Sequence, residues 1–194
     1  MISREKALEI LHANMQNQNL RRHCYAVEAV MRAIAETLNE QKRENNDVEK
    51  WGLVGLLHDA DYEKTKENPE QHTLLVYQWL KDAGETDPEI VSAVLSHNFE
   101  HTGKNEPKNK LEWSLYCCDE LTGFIVAVAL VMPDKKLSSV FVESVVKKFP
   151  QKAFAAGVKR EQIKMCEEKL GIPLSEFVKI TLEAMQNIAQ DLGL

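Results

Sequence analysis

The stretch LVGLLHDAD, residues 53–61, runs five interior-type residues straight into His58, Asp59 and a second carboxylate, Asp61. An unpaired charge buried among apolar groups costs several kcal/mol unless it is neutralised, hydrogen-bonded or bound to a metal. A helix that carries such groups inward therefore needs a partner from elsewhere in the chain. Apolar residues recur with helical spacing almost throughout, and no run of six or more residues alternates polar and apolar side chains between turn signals. The expected fold class is all-α. Helices are expected near residues 3–15, 19–40, 47–59, 69–83, 88–98, 110–131, 138–148, 159–170 and 174–191. Asp87-Pro88 reads as a cap followed by proline at the first helical position, Gly84 and Gly171 stand where helices end, and Asn45-Asn46 and TGKNEPKNK (102–110) read as loops.

With 194 residues, 44% of them hydrophobic, the chain can bury a sizeable core without staples. The longest uninterrupted apolar run, FIVAVALVM at 124–132, is short of the roughly 20 residues needed to cross a bilayer. The opening MISREKALEI lacks the apolar block of a secretory signal. A cytoplasmic location without membrane association is the expectation. Four cysteines, two of them the adjacent pair Cys117 and Cys118, match neither a disulfide framework nor a C-x-x-C zinc spacing and read as buried thiols. A formal charge of −6 argues against a nucleic-acid polymer as partner but leaves room for a small anionic ligand. Basic residues gather late, at Lys135, Lys136, Lys147, Lys148, Lys152, Lys159 and Arg160, and the bland reading of that stretch is a set of solvated helix faces.

Residues three and four apart share a helix face. On that rule His23 lies on the stripe Leu20, Val27, Val30 and Ile34, and His58 on the stripe Trp51 and Val54. His72 shares a face with Leu75, Val76 and Trp79, His97 aligns with Ile90 and Val94, and Asp119 with Leu115, Thr122 and Val126. His12, on the stripe Leu8, Leu11 and Met15, reads as a hydrogen-bonded core histidine, and His101 as an exposed loop residue. A lone inward histidine is usually just such a core residue. Several inward imidazoles and carboxylates without a shared purpose would each need a separate buried polar solution, whereas a common metal centre satisfies them together. Imidazole and carboxylate ligands suit divalent ions such as Mn, Fe, Co, Ni or Zn, and the lack of cysteine argues against structural zinc. Adjacent helical residues project about 100° apart. His58 and Asp59 therefore either hold one ion in the wedge between them, near the helix end, or Asp59 bridges two ions.

The ordered set His23, His58-Asp59, Asp119 on helices resembles the H…HD…D signature of the HD superfamily of metal-dependent phosphohydrolases, over roughly residues 18–130. The segments HCYAVEAVMRA, GLLHDADYE, PEQH, LSHN and DELTG are also similar to a bacterial subgroup of predicted HD-superfamily hydrolases. The resemblance implies a helical bundle with its HD core at about 18–130 and a helical extension at about 131–194, together one all-helical domain over 1–194. It implies His23, His58, Asp59 and Asp119 as ligands of a first metal ion. His72 and His97 match the extra histidines of dinuclear members, in which Asp59 would bridge. One or two divalent ions per chain follow, Mn, Fe, Co, Ni, Zn or Mg. Asn98 stands where some dinuclear members have a second consecutive histidine, and Tyr62 where certain mononuclear nucleotidases have a glutamate.

The chemistry implied is hydrolysis of a small phosphate ester or nucleotide by a metal-activated water. Asp59 sits at the reacting centre, and Asp61 either orients the water or accepts its proton, or else serves as a cap or a solvated charge. Arg22, Lys135, Lys136 and Lys148 are available to hold the phosphate. The same six-ligand order also resembles myo-inositol oxygenase and a related phosphonate-cleaving enzyme, so a mixed-valent di-iron oxygenase is the alternative. A nucleotide-sensing module with little turnover is the third.

Overall fold

A computed structural model describes residues 1–42 and 44–194. Its helices are α1 (Arg4–Asn14), α2 (Gln18–Lys42), α3 (Val48–Leu57), α4 (Tyr62–Thr65), α5 (Leu74–Asp82), α6 (Pro88–Ser96), α7 (Phe99–Thr102), α8 (Lys110–Leu130), α9 (Val142–Lys148), α10 (Arg160–Met165), α11 (Leu174–Asn187) and α12 (Ala189–Leu192). There is no strand among the described residues, so the fold is all-α as the periodicity implied. Side-chain caps fix several starts. Ser3, Asp47, Asp87 and Asn109 accept the otherwise unpaired N–H groups of Lys6, Lys50, Glu89 and Glu112 at 2.9–3.2 Å.

The core is built on α2, α3 and α8. The pairing of α2 with α3 is the most extensive in the fold, and α11 and α12 cover α2 from the other side. Gly55 makes the first pairing close: a Cβ there would lie 2.8 Å from the Val27 carbonyl oxygen and 2.9 Å from Glu28 Cα. Both neighbours are backbone, so a larger residue would push the two helices apart, and with them His23 on α2 and His58 at the end of α3. The helix α8 is long and apolar enough, by length and composition, to cross a bilayer. Its longest unbroken apolar run is shorter because Asp119 and Glu120 interrupt the pattern. In the fold it packs against α2, α6, α10 and α11 as a core helix.

Beyond α8 the extension wraps back onto the core. Residues 149–159 have little regular structure and are gathered by a single side chain, Arg160. Its guanidinium donates to the carbonyls of Phe149 (2.6 Å), Gln151 (3.1 Å), Phe154 (2.5 Å), Val158 (3.2 Å) and Ala155 (3.3 Å). The same group lies 5.0 Å over the Phe124 ring of α8. The chain then runs through α10 and a π turn, Cys166–Leu170, that ends at Gly171 with φ of 68°. All four cysteines are buried and free.

The structure corrects several expected elements. The helix expected at 69–83 is broken: a 3-10 turn spans Pro69–Gln71, His72 follows, and Thr73 takes the left-handed φ of 71° before α5 begins at Leu74. The helix expected from 138 is preceded by a 3-10 turn, Leu137–Ser139, and starts at Val142. The short helices α4 and α7 have too few residues to show a period. His12 is exposed rather than buried on its stripe, though its Nε2 does meet the Tyr25 hydroxyl at 2.6 Å. His101 is exposed as expected but stands on α7 rather than in the following loop.

Candidate metal centre

Five segments deliver the donors to one region. His23 comes from the first turns of α2, His58 and Asp59 from the turn that ends α3, His72 from the break before α5, His97 from the cap of α6, and Asp119 from the middle of α8. His58 caps α3 with helical angles, φ −50° and ψ −38°, its N–H still bonded to the Val54 carbonyl, and Asp59 follows in the turn just beyond the helix end.

The donor atoms fall into two groups. In the first, His23 Nε2 lies 2.8 Å from Asp119 Oδ1 and 3.3 Å from His58 Nε2. His58 Nε2 is 3.5 Å from that same Asp119 oxygen, and Asp59 Oδ2 is 3.7 Å from both imidazoles. In the second, Asp59 turns its other oxygen, Oδ1, to His72 Nε2 at 3.1 Å and His97 Nε2 at 3.2 Å. Donors about 2.1 Å from one ion lie about 3.0–3.4 Å from one another in octahedral or tetrahedral array. The spacings, 2.8–3.7 Å, bracket that range; Asp59 turns one oxygen to each group, and His97 also lies within reach of a common ion with His58 and Asp119. The donor chemistry, all imidazole nitrogen and carboxylate oxygen, fits divalent first-row ions. These groups can hold a metal.

The outer contacts set which ring nitrogen faces inward. His58, fully buried, directs Nδ1 to the Gly55 carbonyl at 2.7 Å, which leaves Nε2 as the inward donor. His72 directs Nδ1 to Asp61 Oδ1 at 2.7 Å, and Asp61 Oδ2 accepts the backbone N–H groups of Leu75 and Val76. Asp61 is wholly buried behind His72, with both oxygens engaged. Its contacts cap the start of α5 and orient His72 rather than reach the cavity. Asn98 is likewise no added donor. Its amide nitrogen donates to the carbonyls of Pro69 and His72 at 2.9 and 3.0 Å, holding the broken segment against α6.

The charges are strongly coupled. Burial opposes a charge on His23, yet the Asp119 hydrogen bond and field carry it up to about 9. Burial opposes a charge on His72 too, and the hydrogen bonds it donates to Asp59 and Asp61 raise it to about 9. Burial disfavours the Asp59 and Asp119 carboxylates as well, but the surrounding imidazoles hold both well below the usual carboxylate range. His97 is lowered by burial despite its Asp59 contact. Without metal, His23 and His72 thus contribute stability that is full below about 6.5 and is lost as pH rises through about 9. Metal binding needs them neutral and displaces those protons. Apparent metal affinity should therefore climb with pH up to about 9 and then level, with proton release seen by calorimetry in buffers of different ionisation enthalpy. Affinity that does not change with pH over that window would contradict the assignment of these two histidines.

All the donors except the fully buried His58 line a cavity of about 330 Å³. Its walls include Tyr62 and Lys159, together with four residues the sequence reading did not single out: Glu100, Tyr116, Glu120 and Gln162. Lys159 is the only lysine or arginine among the lining residues; its Nζ is 3.5 Å from Glu100 Oε1, and its backbone N–H donates to Glu120 Oε2 at 3.0 Å. Burial and the neighbouring Asp119 push the Glu120 carboxyl upward. Arg22, Lys135, Lys136 and Lys148 do not line the cavity; Lys148 instead lies 4.4 Å over the Phe154 ring. No curated protein and no solved structure matches the chain. A family model described as the HD domain matches residues 20–128, more than half of the 194 residues and spanning every donor above, and the chain belongs to that family of metal-dependent hydrolases.

Proposed function

We propose that the protein is a phosphohydrolase with a dinuclear centre, acting on a small phosphate ester or nucleotide. The observation that carries this reading is the division of Asp59 between two donor groups, beneath a cavity with a single lysine at its wall. When bound, divalent ions supply a water of lowered pKa and offset charge on the phosphoryl oxygens. The protein's own residues do the rest. Asp59 would offer one oxygen to each donor group, and His58 and His72 are held in one tautomer by the Gly55 carbonyl and Asp61. Lys159, about two-fifths exposed and in a loose pair with Glu100, exchanges that partner for a substrate phosphoryl oxygen. Glu120, with its carboxyl pushed upward and Oε2 occupied by the Lys159 N–H, presents Oε1 as the group that hands a proton to the leaving oxygen.

The test is phosphate release from a panel of small phosphate esters by the metal-loaded protein. Lys159→Ala should raise KM about tenfold while metal content stays the same, with partial recovery in Lys159→Arg. No release from any ester with any divalent ion would remove the proposal, and an unchanged KM would remove Lys159 from the binding step.

A further inference from the structure

A second hollow adjoins the metal cavity. Glu100, Tyr116, Lys159 and Gln162 line the cavity and equally line a neighbouring open groove of about 540 Å³, so the two share a border at these four residues. The far end is aromatic. Phe99, Trp113 and Met165, all partly exposed, join Tyr116 there. The Trp113 and Tyr116 rings meet edge to face with centroids 5.4 Å apart, and Phe99 is 6.5 Å from Tyr116. Lys169, which does not line the groove, covers one indole face at 4.9 Å. Tyr116 belongs to both ends, since its hydroxyl donates to Glu100 at 2.9 Å while its ring faces Trp113.

The charges of the groove restrict its occupant. Glu100, Glu106 and Glu161 stand on its walls. Arg160 also touches it, but that guanidinium is spent on five backbone carbonyls. Lys159 lies at the junction with the metal cavity rather than at the far end. The groove therefore disfavours further phosphates and suits a flat, uncharged ring that packs against aromatic side chains.

We infer that this groove is the leaving-group subsite of the centre, and that the preferred substrates are phosphate monoesters whose alcohol carries a planar aromatic ring. This rests on the phosphohydrolase reading and names its substrate class. The phosphoryl group meets the donor cluster and Lys159, the ester oxygen lies near Glu120 and Tyr116, and the ring enters between Phe99, Trp113 and Tyr116. Hydrolysis breaks the bond between phosphorus and the ester oxygen, water supplies the new oxygen on phosphorus, and the alcohol leaves with a proton.

The comparison of 2-naphthylmethyl phosphate with cyclohexylmethyl phosphate isolates the groove, because both release primary alcohols of similar basicity. The wild type should favour the naphthyl ester in kcat/KM by about tenfold, mainly through KM. Trp113→Leu and Phe99→Leu should each bring the ratio of the two substrates toward one. A ratio is insensitive to the fraction of enzyme that folds, so a weakened variant still reports. A wild-type ratio near one, or a ratio left unchanged by both variants, would overturn the subsite while leaving phosphate hydrolysis in place. A second measurement separates the two readings. Calorimetric binding of 2-naphthylmethylphosphonate that is about tenfold tighter than that of its cyclohexyl counterpart, and that loses this margin in Trp113→Leu, would support the subsite even if neither ester were hydrolysed. Equal binding of the two phosphonates would overturn it.

Discussion

His58→Ala should lose most of its bound metal and release phosphate about a thousandfold more slowly than the wild type. The expectation follows from how little freedom the imidazole has. It is fully buried, its Nδ1 is committed to the Gly55 carbonyl, and its Nε2 lies 3.3–3.7 Å from His23, Asp119 and Asp59. Asp59→Ala should be at least as severe, since each of its oxygens serves a different donor group. The second group separates from the first by stoichiometry. His72→Ala or His97→Ala should lower metal content toward one ion per chain and reduce turnover without unfolding the protein. Asp61→Asn should weaken the second ion about 10–100-fold through the orientation of His72. His12→Ala, on an exposed residue outside the cavity, is the control and should change nothing. Metal analysis of each purified variant decides the matter: equal metal in wild type and both HD-pair variants would end the metal-centre reading. Full stoichiometry with lowered stability in His72→Ala and His97→Ala would make those two core histidines and leave a single ion.

Phosphate release should also continue without oxygen, at an undiminished rate, in protein loaded with Mn or Co. The donor set cannot by itself separate hydrolysis from oxygenation, because the same imidazoles and carboxylates hold redox-active iron equally well. The difference is in what the ion must do. A hydrolase uses it as a Lewis acid and water activator, so exchange of one divalent ion for another is tolerated. A mixed-valent oxygenase has to cycle iron between valences, and exchange abolishes its chemistry. Lys159 at the cavity wall suits an anionic substrate and favours the hydrolytic outcome. Oxygen uptake coupled to substrate in an iron-loaded sample, with no phosphate released under any metal, would reverse the choice.

The helical period exposed the stripes of His23 on α2, Ile90 and Val94 before His97 on α6, and Asp119 on α8, because each lies on or directly after a regular helix whose apolar face continues to it. His72 reached the donor set by a route the period could not express. Pro69 opens a 3-10 turn, and Thr73 at positive φ reverses the chain, so His72 faces inward from a break and not from a helix face. The surroundings of Asp61 were not legible for a related reason: its partners lie 11 to 15 residues away, across that same break. Lys159 and Gln162 were hidden among many basic and polar residues of the extension. What singles them out is the packing of α10 on α8, a long-range contact that leaves no local signature in sequence.

The Arg160 side chain makes residues 149–158 a single cooperative unit. Five carbonyls spread over ten residues converge on one guanidinium, so no part of the segment opens without withdrawing partners from the rest. Amide exchange there should proceed by one shared opening event, with similar protection at its bonded amides, rather than by fraying residue by residue. Lys159 immediately precedes the guanidinium's residue and hangs on Glu120 by its backbone N–H. The same opening would draw the lysine out of the cavity wall. Exchange rates scattered over the segment, or unaltered in Arg160→Lys, would show the loop opening piecemeal. A shared rate would mean that the cavity gains and loses its one lysine in step with a loop far longer than the residue itself, on a clock set by local unfolding.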